Sequence, residues 1–146
     1  IDMRETPLAC LTVAGRSLRN RPGILSDLST GLSSEGINID AVASGMDSVT
    51  FYVDADIAEP AEAVLHETVV GDETLSSVTV ADPIAVIRVT GGELPNQSGV
   101  IQGVIGPLAE SGINIIDLIT SATSVAVFVS WSDREAALEI IQQRFD

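Results

Sequence analysis

The chain of 146 residues carries 21 acidic residues against 7 basic ones, and 45% of its residues are hydrophobic. This composition is typical of a globular protein and excludes a disordered chain. The net charge of −14 repels nucleic acid and anionic lipid, so neither is expected as a partner. No apolar run reaches the ~18 residues that a membrane-spanning helix needs.

All the basic residues are arginine, and the chain has no lysine. Abundant carboxylates without lysine favour a halophilic source, where concentrated salt screens self-repulsion; a GC-rich genome is the alternative explanation. The single cysteine, Cys10, excludes an internal disulfide and favours a cytoplasmic location. The first residues, IDMRETP, are not those of a signal peptide, and the missing initial Met is consistent with a piece of a longer protein.

In chain order, the sequence predicts the same elements twice, at a spacing of 76 residues. Residues 8–54 align without a gap over residues 84–130, and the clearest match is EGINID (35–40) over SGINII (111–116). A register this long predicts a duplicated domain.

Each copy begins with an apolar run, residues 8–13 or 84–89, that predicts a strand. A loop follows, and then apolar residues at helical spacing that end at Gly36 or Gly112, where a glycine is suited to stop a helix. The Ile-Asn-Ile segment then starts a second strand, which forms a hairpin with the run VTFYV or VAVFV.

Second helices are predicted over residues 59–70 and 133–145, and TLSSVTVAD (74–82) closes the first copy as a fourth strand. The order βαββαβ is that of the ferredoxin-like α+β fold. The chain is therefore predicted to form two tandem ferredoxin-like units, residues 1–81 and residues 82–146. The second unit lacks its last strand: either the sequence ends before it, or a strand from elsewhere, the N-terminal segment 2–6 or a partner chain, completes its sheet.

Two segments, NRPGILSDLSTGLSSEGINIDAV (20–42) and SGINIIDLITSATSVAVFVS (111–130), resemble the ACT domain, an amino-acid-binding regulatory module. The pair is most similar to the C-terminal regulatory region of aspartate kinase. Acetolactate synthase small subunits and free-standing ACT regulators share the same loop and Gly-Ile-Asn signature. The resemblance implies allosteric sensing of a small amino acid, of the lysine, threonine or methionine class, at an interface between ACT domains. It also implies a homodimer and a kinase domain in the same chain or in another.

The effector is predicted to bind where the first loop of a copy enters its helix. A helix N-terminus offers unpaired N–H groups to a carboxylate, and Gly23 lets a ligand approach the backbone. Asp40 could accept from the ammonium group, and Asn38 can both donate and accept. The predicted set is Arg21, Gly23, Ile24, Leu25, Asn38, Ile39 and Asp40, with Ser98, Gly99, Val100 and Asn114 as further contributors from the second copy.

The two copies differ at this place. Ile116 stands where the first copy has Asp40, and Gln97 stands where it has Arg21. We therefore predict one effector site per chain, built chiefly from the first copy, with the second copy as wall and dimerisation surface.

Neither a catalytic site nor a cofactor is predicted. The chain has no GxxxxGK[ST] loop and no lysine, so it lacks the cations that phosphoryl transfer needs, although it could be a fragment of an aspartate kinase. His66 is the only histidine, so a metal site is not expected. The alternatives are a stand-alone ACT regulator or small subunit acting on another enzyme of amino-acid biosynthesis, and a dimerisation module that binds nothing.

Overall fold

The computed structural model describes residues 1–91 and 97–145. The chain divides into two compact units. The first is Leu8–Asp82, and the second combines Ile1–Pro7, which carries the two-residue strand β1 (Asp2–Met3), with Pro83–Asp146. Within the described residues, no helix has both the length and the apolar character needed to cross a bilayer.

The first unit is a four-stranded sheet with two helices. Its elements are β2 (Leu8–Gly15), α1 (Ile24–Ser34), β3 (Ala41–Ser44), β4 (Ser48–Asp54), α2 (Ala58–Val70) and the first part of β5 (Leu75–Thr90), with short 3-10 turns at Leu18–Asn20 and Ala55–Ile57. The strands lie in the order β3-β4-β2-β5, and β4 runs antiparallel to both β2 and β3. This is the predicted ferredoxin-like order.

The core of the first unit lies on one face of its sheet. Every second residue of β2 and β4 points into it and is buried, as the period of two in a strand requires. Ile24, Leu28 and Leu32 recur at helical spacing on α1 and cover this face together with Leu65 of α2. Burying each such leucine stabilises the fold by about 1.5–3 kcal/mol. The packing fixes α1 on the sheet and so fixes the position of its N-terminus.

The second unit repeats this plan with α3 (Gln97–Glu110), β6 (Ile115–Thr120), β7 (Ser124–Ser130), a 3-10 turn at Trp131–Asp133 and α4 (Arg134–Phe145). The latter part of β5 lies beside β7, and β7 lies beside β6. Its core is again apolar, with Val104, Leu108 and Ile141 fully buried.

The N-terminal segment completes the second sheet, as one of the two sequence-based alternatives predicted. Asp2 pairs with Arg88 and Met3 with Ile87, antiparallel, and the Arg4 N–H donates to the Val86 carbonyl at 3.2 Å. The predicted boundary counted residues 1–7 with the first domain. They lie in the second unit because β1 occupies the edge that a fourth strand would occupy.

Two predicted strand boundaries differ from the structure. The runs 74–82 and 84–89 were predicted as separate strands, but β5 continues through Pro83, whose fixed φ is compatible with extended backbone. The Ile-Asn-Ile segment was predicted to open the second strand of each copy; β6 does begin within it, at Ile115, but β3 begins after it, at Ala41. Asp40 comes just before it, and its N–H donates to the Tyr52 carbonyl at 2.7 Å.

The duplication extends to individual backbone hydrogen bonds. After the first helix of each unit, the Ile37 N–H donates to the Leu32 carbonyl at 3.1 Å and the Ile113 N–H donates to the Leu108 carbonyl at 3.0 Å. The glycine before Ile37 has a φ of 75°, and the glycine before Ile113 has a φ of 76°. Only glycine adopts this left-handed conformation readily, which explains why both copies retain it.

Candidate functional site

A surface cavity of about 390 Å³ lies in the first unit, where the loop between β2 and α1 faces the turn between β3 and β4. Its volume falls within the range of small-molecule sites. It is lined by Leu18, Arg21, Pro22, Gly23, Ile24, Leu25, Ser44, Gly45, Met46 and Val49. Four of the predicted effector residues, those from the loop and the start of α1, therefore lie together in its wall.

Helix α1 begins at this cavity without a side-chain cap. Gly23 is the N-cap residue, with a φ of 95°, and it has no side chain that could accept a hydrogen bond. The Asp27 N–H makes the first helical bond, to the Gly23 carbonyl at 2.8 Å. Among the residues that the structure describes, the N–H groups of Leu25 and Ser26 have no acceptor. The first turn thus offers two donors and the positive end of the helix dipole to a carboxylate.

Arg21 is the ionisable residue in the described wall of the cavity. Its guanidinium Nη2 donates to Asp72 Oδ2 at 2.7 Å, and Nη1 donates to Thr74 Oγ1. Thr74 in turn donates to Asp72 Oδ1 through its hydroxyl, at 2.6 Å, and through its N–H, at 2.9 Å. The Arg21 hydrogen bond, followed by those from Thr74, lowers the pKa of Asp72 from 3.8 to about 2. The positive charge of Arg21 is therefore held in place by a carboxylate on the turn before β5.

The loop between β2 and α1 is held from two sides. The Ser17 N–H donates to Asp47 Oδ1 at 3.0 Å, which ties the loop to the β3–β4 turn. The Arg16 N–H donates to the Thr74 carbonyl at 2.9 Å, which ties it to the turn before β5. Ser17 itself has a φ of 53°, which a non-glycine residue adopts only where surrounding bonds impose it. These bonds connect the loop to both turns of the first unit.

The sequence did not indicate Asp47, Asp72 or Thr74 as part of this site. The spacing of Asp72 and Thr74 fits a local turn in which an aspartate accepts from the N–H two residues on. Their contacts with Arg21 cross 51 and 53 residues, so no local pattern could have revealed them.

The remaining predicted residues of the first copy lie elsewhere. Asn38 and Asp40 are exposed, and Ile39 packs against the core. Asp40 precedes β3, whereas Ser44 ends it, and four residues of extended chain at ~3.3 Å each separate their Cα atoms by about 13 Å. None of these three residues lines the cavity.

In the second copy, Gly99 and Asn114 are exposed, and Val100 packs against the core of the second unit. The side chain of Ser98 lies outside the described residues.

Two further cavities flank α2. One, of about 420 Å³, is bordered by Glu35 and Glu67, and the other, of about 460 Å³, by Glu59, Glu62 and His66. Across residues 1–91 and 97–145, no three His, Cys, Asp or Glu side chains come close enough together to hold a metal ion.

Solved structures with this fold include regulatory regions of aspartate kinases. The regulatory subunit of aspartate kinase from Thermus flavus has a TM-score of 0.86 at 22% identity, over 99% of this chain and 96% of that one. Aspartate kinase from Synechocystis has a TM-score of 0.86 at 22% identity, over 98% of this chain and 26% of the enzyme. E. coli aspartokinase III in complex with lysine and aspartate has a TM-score of 0.74 at 19% identity, over 99% of this chain and 32% of the enzyme.

Sequence comparison gives the family. No match is found among curated protein sequences. An ACT domain is matched at residues 11–81 and another at residues 79–143, which leaves only the ends of the chain outside. The chain therefore belongs to the ACT-domain family, as a tandem pair of ACT domains with the fold of the aspartate kinase regulatory region.

Proposed function

We propose that this chain is the regulatory module of an aspartate kinase and that it binds a small amino acid in the cavity at the N-terminus of α1. The observation that supports this most directly is the coincidence of three features around one cavity: unpaired N–H groups, an arginine held by Asp72 and Thr74, and an enclosing turn. A free amino acid carries a carboxylate that matches the first two. The aspartate-family effectors lysine, threonine and methionine are the candidates that the family resemblance implies.

In this proposal the ligand carboxylate accepts from the Leu25 and Ser26 N–H groups, and the guanidinium of Arg21 adds a positive charge beside it. Ser44 lies in the opposite wall, and in this proposal its hydroxyl accepts from the α-ammonium group. The role of Asp40 as acceptor stays a prediction, to be tested by substitution.

Binding would act on a kinase through the loop it occupies. Because the loop is tied to both the β3–β4 turn and the turn before β5, a ligand that favours one arrangement of the loop biases both turns. A coupling of about 1–3 kcal/mol between effector and catalytic sites is typical of such regulation.

The kinase domain can stand in the same chain or in another. The Thermus flavus match is to a regulatory subunit of nearly the same length, and the Synechocystis match is to a quarter of a whole enzyme. A stand-alone regulator that acts in trans is therefore the second candidate. A coding sequence for an amino-acid kinase domain fused upstream would select the first.

Thermal unfolding with each of the twenty amino acids, in molar KCl, tests the proposal. A ligand at 100 times its Kd adds about 2.7 kcal/mol of stability, and for a chain of this size that raises the Tm by about 5–11 °C. Arg21→Gln, which installs the residue found in the second copy, is expected to reduce the shift, and Arg144→Gln in α4 is the matched control. Asp40→Ala decides whether that carboxylate takes part.

If no amino acid moves the Tm of the folded parent, the sensing proposal is wrong, and the dimerisation module that binds nothing is the remaining alternative. If Arg21→Gln and Arg144→Gln respond to the ligand equally, a site exists but not in this cavity.

A further inference from the structure

We infer that the cavity accepts an amino acid with an uncharged aliphatic side chain and discriminates against lysine. This inference rests on the proposed function and concerns the part of the cavity that would face the ligand side chain. It narrows the ligand class from the three effectors that the family resemblance implies.

Six of the ten residues that line the cavity have apolar side chains, and they come from both sides of it. Leu18, Ile24 and Val49 are buried at the base of the cavity. Leu25 and Met46 stand at its rim, where they are 42% and 63% exposed. A ligand side chain that covers these two groups removes apolar surface from water, at about 25 cal/mol per Å². An aliphatic chain of three or four heavy atoms gains this contact fully.

A second ammonium group would gain nothing from these walls. The ionisable residue among them is Arg21, whose charge has the same sign. Neither neighbouring carboxylate lines the cavity: Asp72 accepts from Arg21 and Thr74, and Asp47 accepts from the Ser17 N–H. Asp27, on the first turn of α1, is exposed and does not line the cavity. A lysine side chain would therefore lose hydration without acquiring an anionic partner.

The second copy indicates that the rim is a specific feature of the first. Ala122 stands where the first copy has Met46, so the thioether chain at the rim has no counterpart there. Methionine side chains adapt to irregular aliphatic partners, which suits this position to contact a flexible ligand chain.

The decisive pair of ligands is L-norleucine and L-lysine, which share their carbon skeleton and differ by the terminal ammonium. We expect isothermal titration of the full chain to give a Kd for norleucine, and for methionine, at least about tenfold below that for lysine. Met46→Glu places a carboxylate at the exposed rim and is expected to reduce or invert this preference. Met46→Gln, whose side chain matches that of Met46→Glu in size but is uncharged, is expected to keep a higher affinity for norleucine than for lysine.

A parent protein that binds lysine as tightly as norleucine overturns the inference and leaves the proposed function standing. A preference for norleucine that Met46→Glu leaves unchanged overturns the assignment of the side-chain wall. If no amino acid binds the folded chain, both this inference and the proposed function are wrong.

Discussion

Replacing Gly23 by alanine tests how the backbone conformation at the N-terminus of α1 affects stability and ligand binding. Gly23 has a φ of 95°, and an added Cβ would meet no atom within 4 Å. The loss in folding free energy is therefore conformational alone, about 1–2 kcal/mol for a non-glycine residue in the left-handed region. Gly36, at the other end of the same helix, has a φ of 75° and equally open surroundings, so it is a matched control.

We expect Gly23→Ala and Gly36→Ala to lose similar stability, which lowers the Tm by about 2–8 °C for a chain of this size. Only Gly23→Ala is expected to weaken amino-acid binding. Alanine at this position relieves its strain by shifting the loop, and that shift moves the Leu25 and Ser26 N–H groups that the ligand carboxylate needs. Thermal unfolding without ligand measures the first effect, and titration calorimetry on both variants measures the second.

Two results would refute this reasoning. If Gly36→Ala unfolds at the same temperature as the parent, alanine in the left-handed conformation does not lower the free energy of unfolding as predicted. If Gly23→Ala binds the ligand as tightly as Gly36→Ala does, the N-terminus of α1 is not where the carboxylate lies. Gly112→Ala, at the equivalent position of the second unit, should repeat the behaviour of Gly36→Ala.

Three further predictions concern the packing and charge of the chain. Leu65→Ala, at a fully buried position, should reduce the free energy of unfolding by about 2–5 kcal/mol, as measured by urea denaturation. The pKa of Asp72 is about 2 in the folded chain, against an ordinary value of 3.8, so its contribution to stability is complete above pH 3.8 and is lost as the pH falls towards 2. Asp72→Asn should flatten the pH dependence of stability in this range, and an unchanged dependence would contradict the Arg21 contact. Met3→Asp, which places a charge against the core of the second unit, should lower stability by more than Glu5→Asp at an exposed position, and equal effects would argue against β1 as the completing strand.

The sequence revealed the fold because its informative residues act locally. Helix stops at Gly36 and Gly112, and the alternating apolar residues of each strand, express backbone preferences that do not depend on distant partners. The ACT resemblance and the 76-residue repeat follow from the same local signals. The completing strand, by contrast, depends on Asp2 and Met3 finding an edge more than eighty residues away. Local pattern can offer such a pairing as one candidate but cannot choose it.

The candidate site was only partly predictable for the same reason. The helix N-terminus and its glycine are visible in sequence, and they do line the cavity. Met46 was not predicted because turns are ordinarily polar and a side chain at a hairpin tip has no periodicity to mark it. Asp40 was predicted because the strand was expected to begin at the Ile-Asn-Ile segment and to include this residue. In the structure β3 begins at Ala41, so Asp40 lies just before the strand. Site residues that depend on the meeting of two loops need the tertiary structure.

The asymmetry between the copies can be tested by moving one residue of the second copy into the first. Gly15 donates to the Asp47 carbonyl at 2.9 Å, and Gly91 donates to the Thr123 carbonyl at 2.9 Å, so threonine is compatible with the backbone of this turn. Asp47→Thr should therefore keep the fold and lose only the charged acceptor of the Ser17 N–H, which lowers stability by at most about 1 kcal/mol because both partners are exposed to water.

We expect this variant to bind its amino acid more weakly than the parent, because the loop is then held only from the side of the turn before β5 and the ligand must order the other side. The reciprocal change, Thr123→Asp, should leave binding unchanged. Titration calorimetry on both variants, with thermal unfolding to confirm that each is folded, makes the comparison. If Asp47→Thr binds as tightly as the parent, the hydrogen bonds to the loop have no part in ligand binding. The difference between the two units would then have to lie in the residues that line the cavity itself, Arg21 and Met46 foremost.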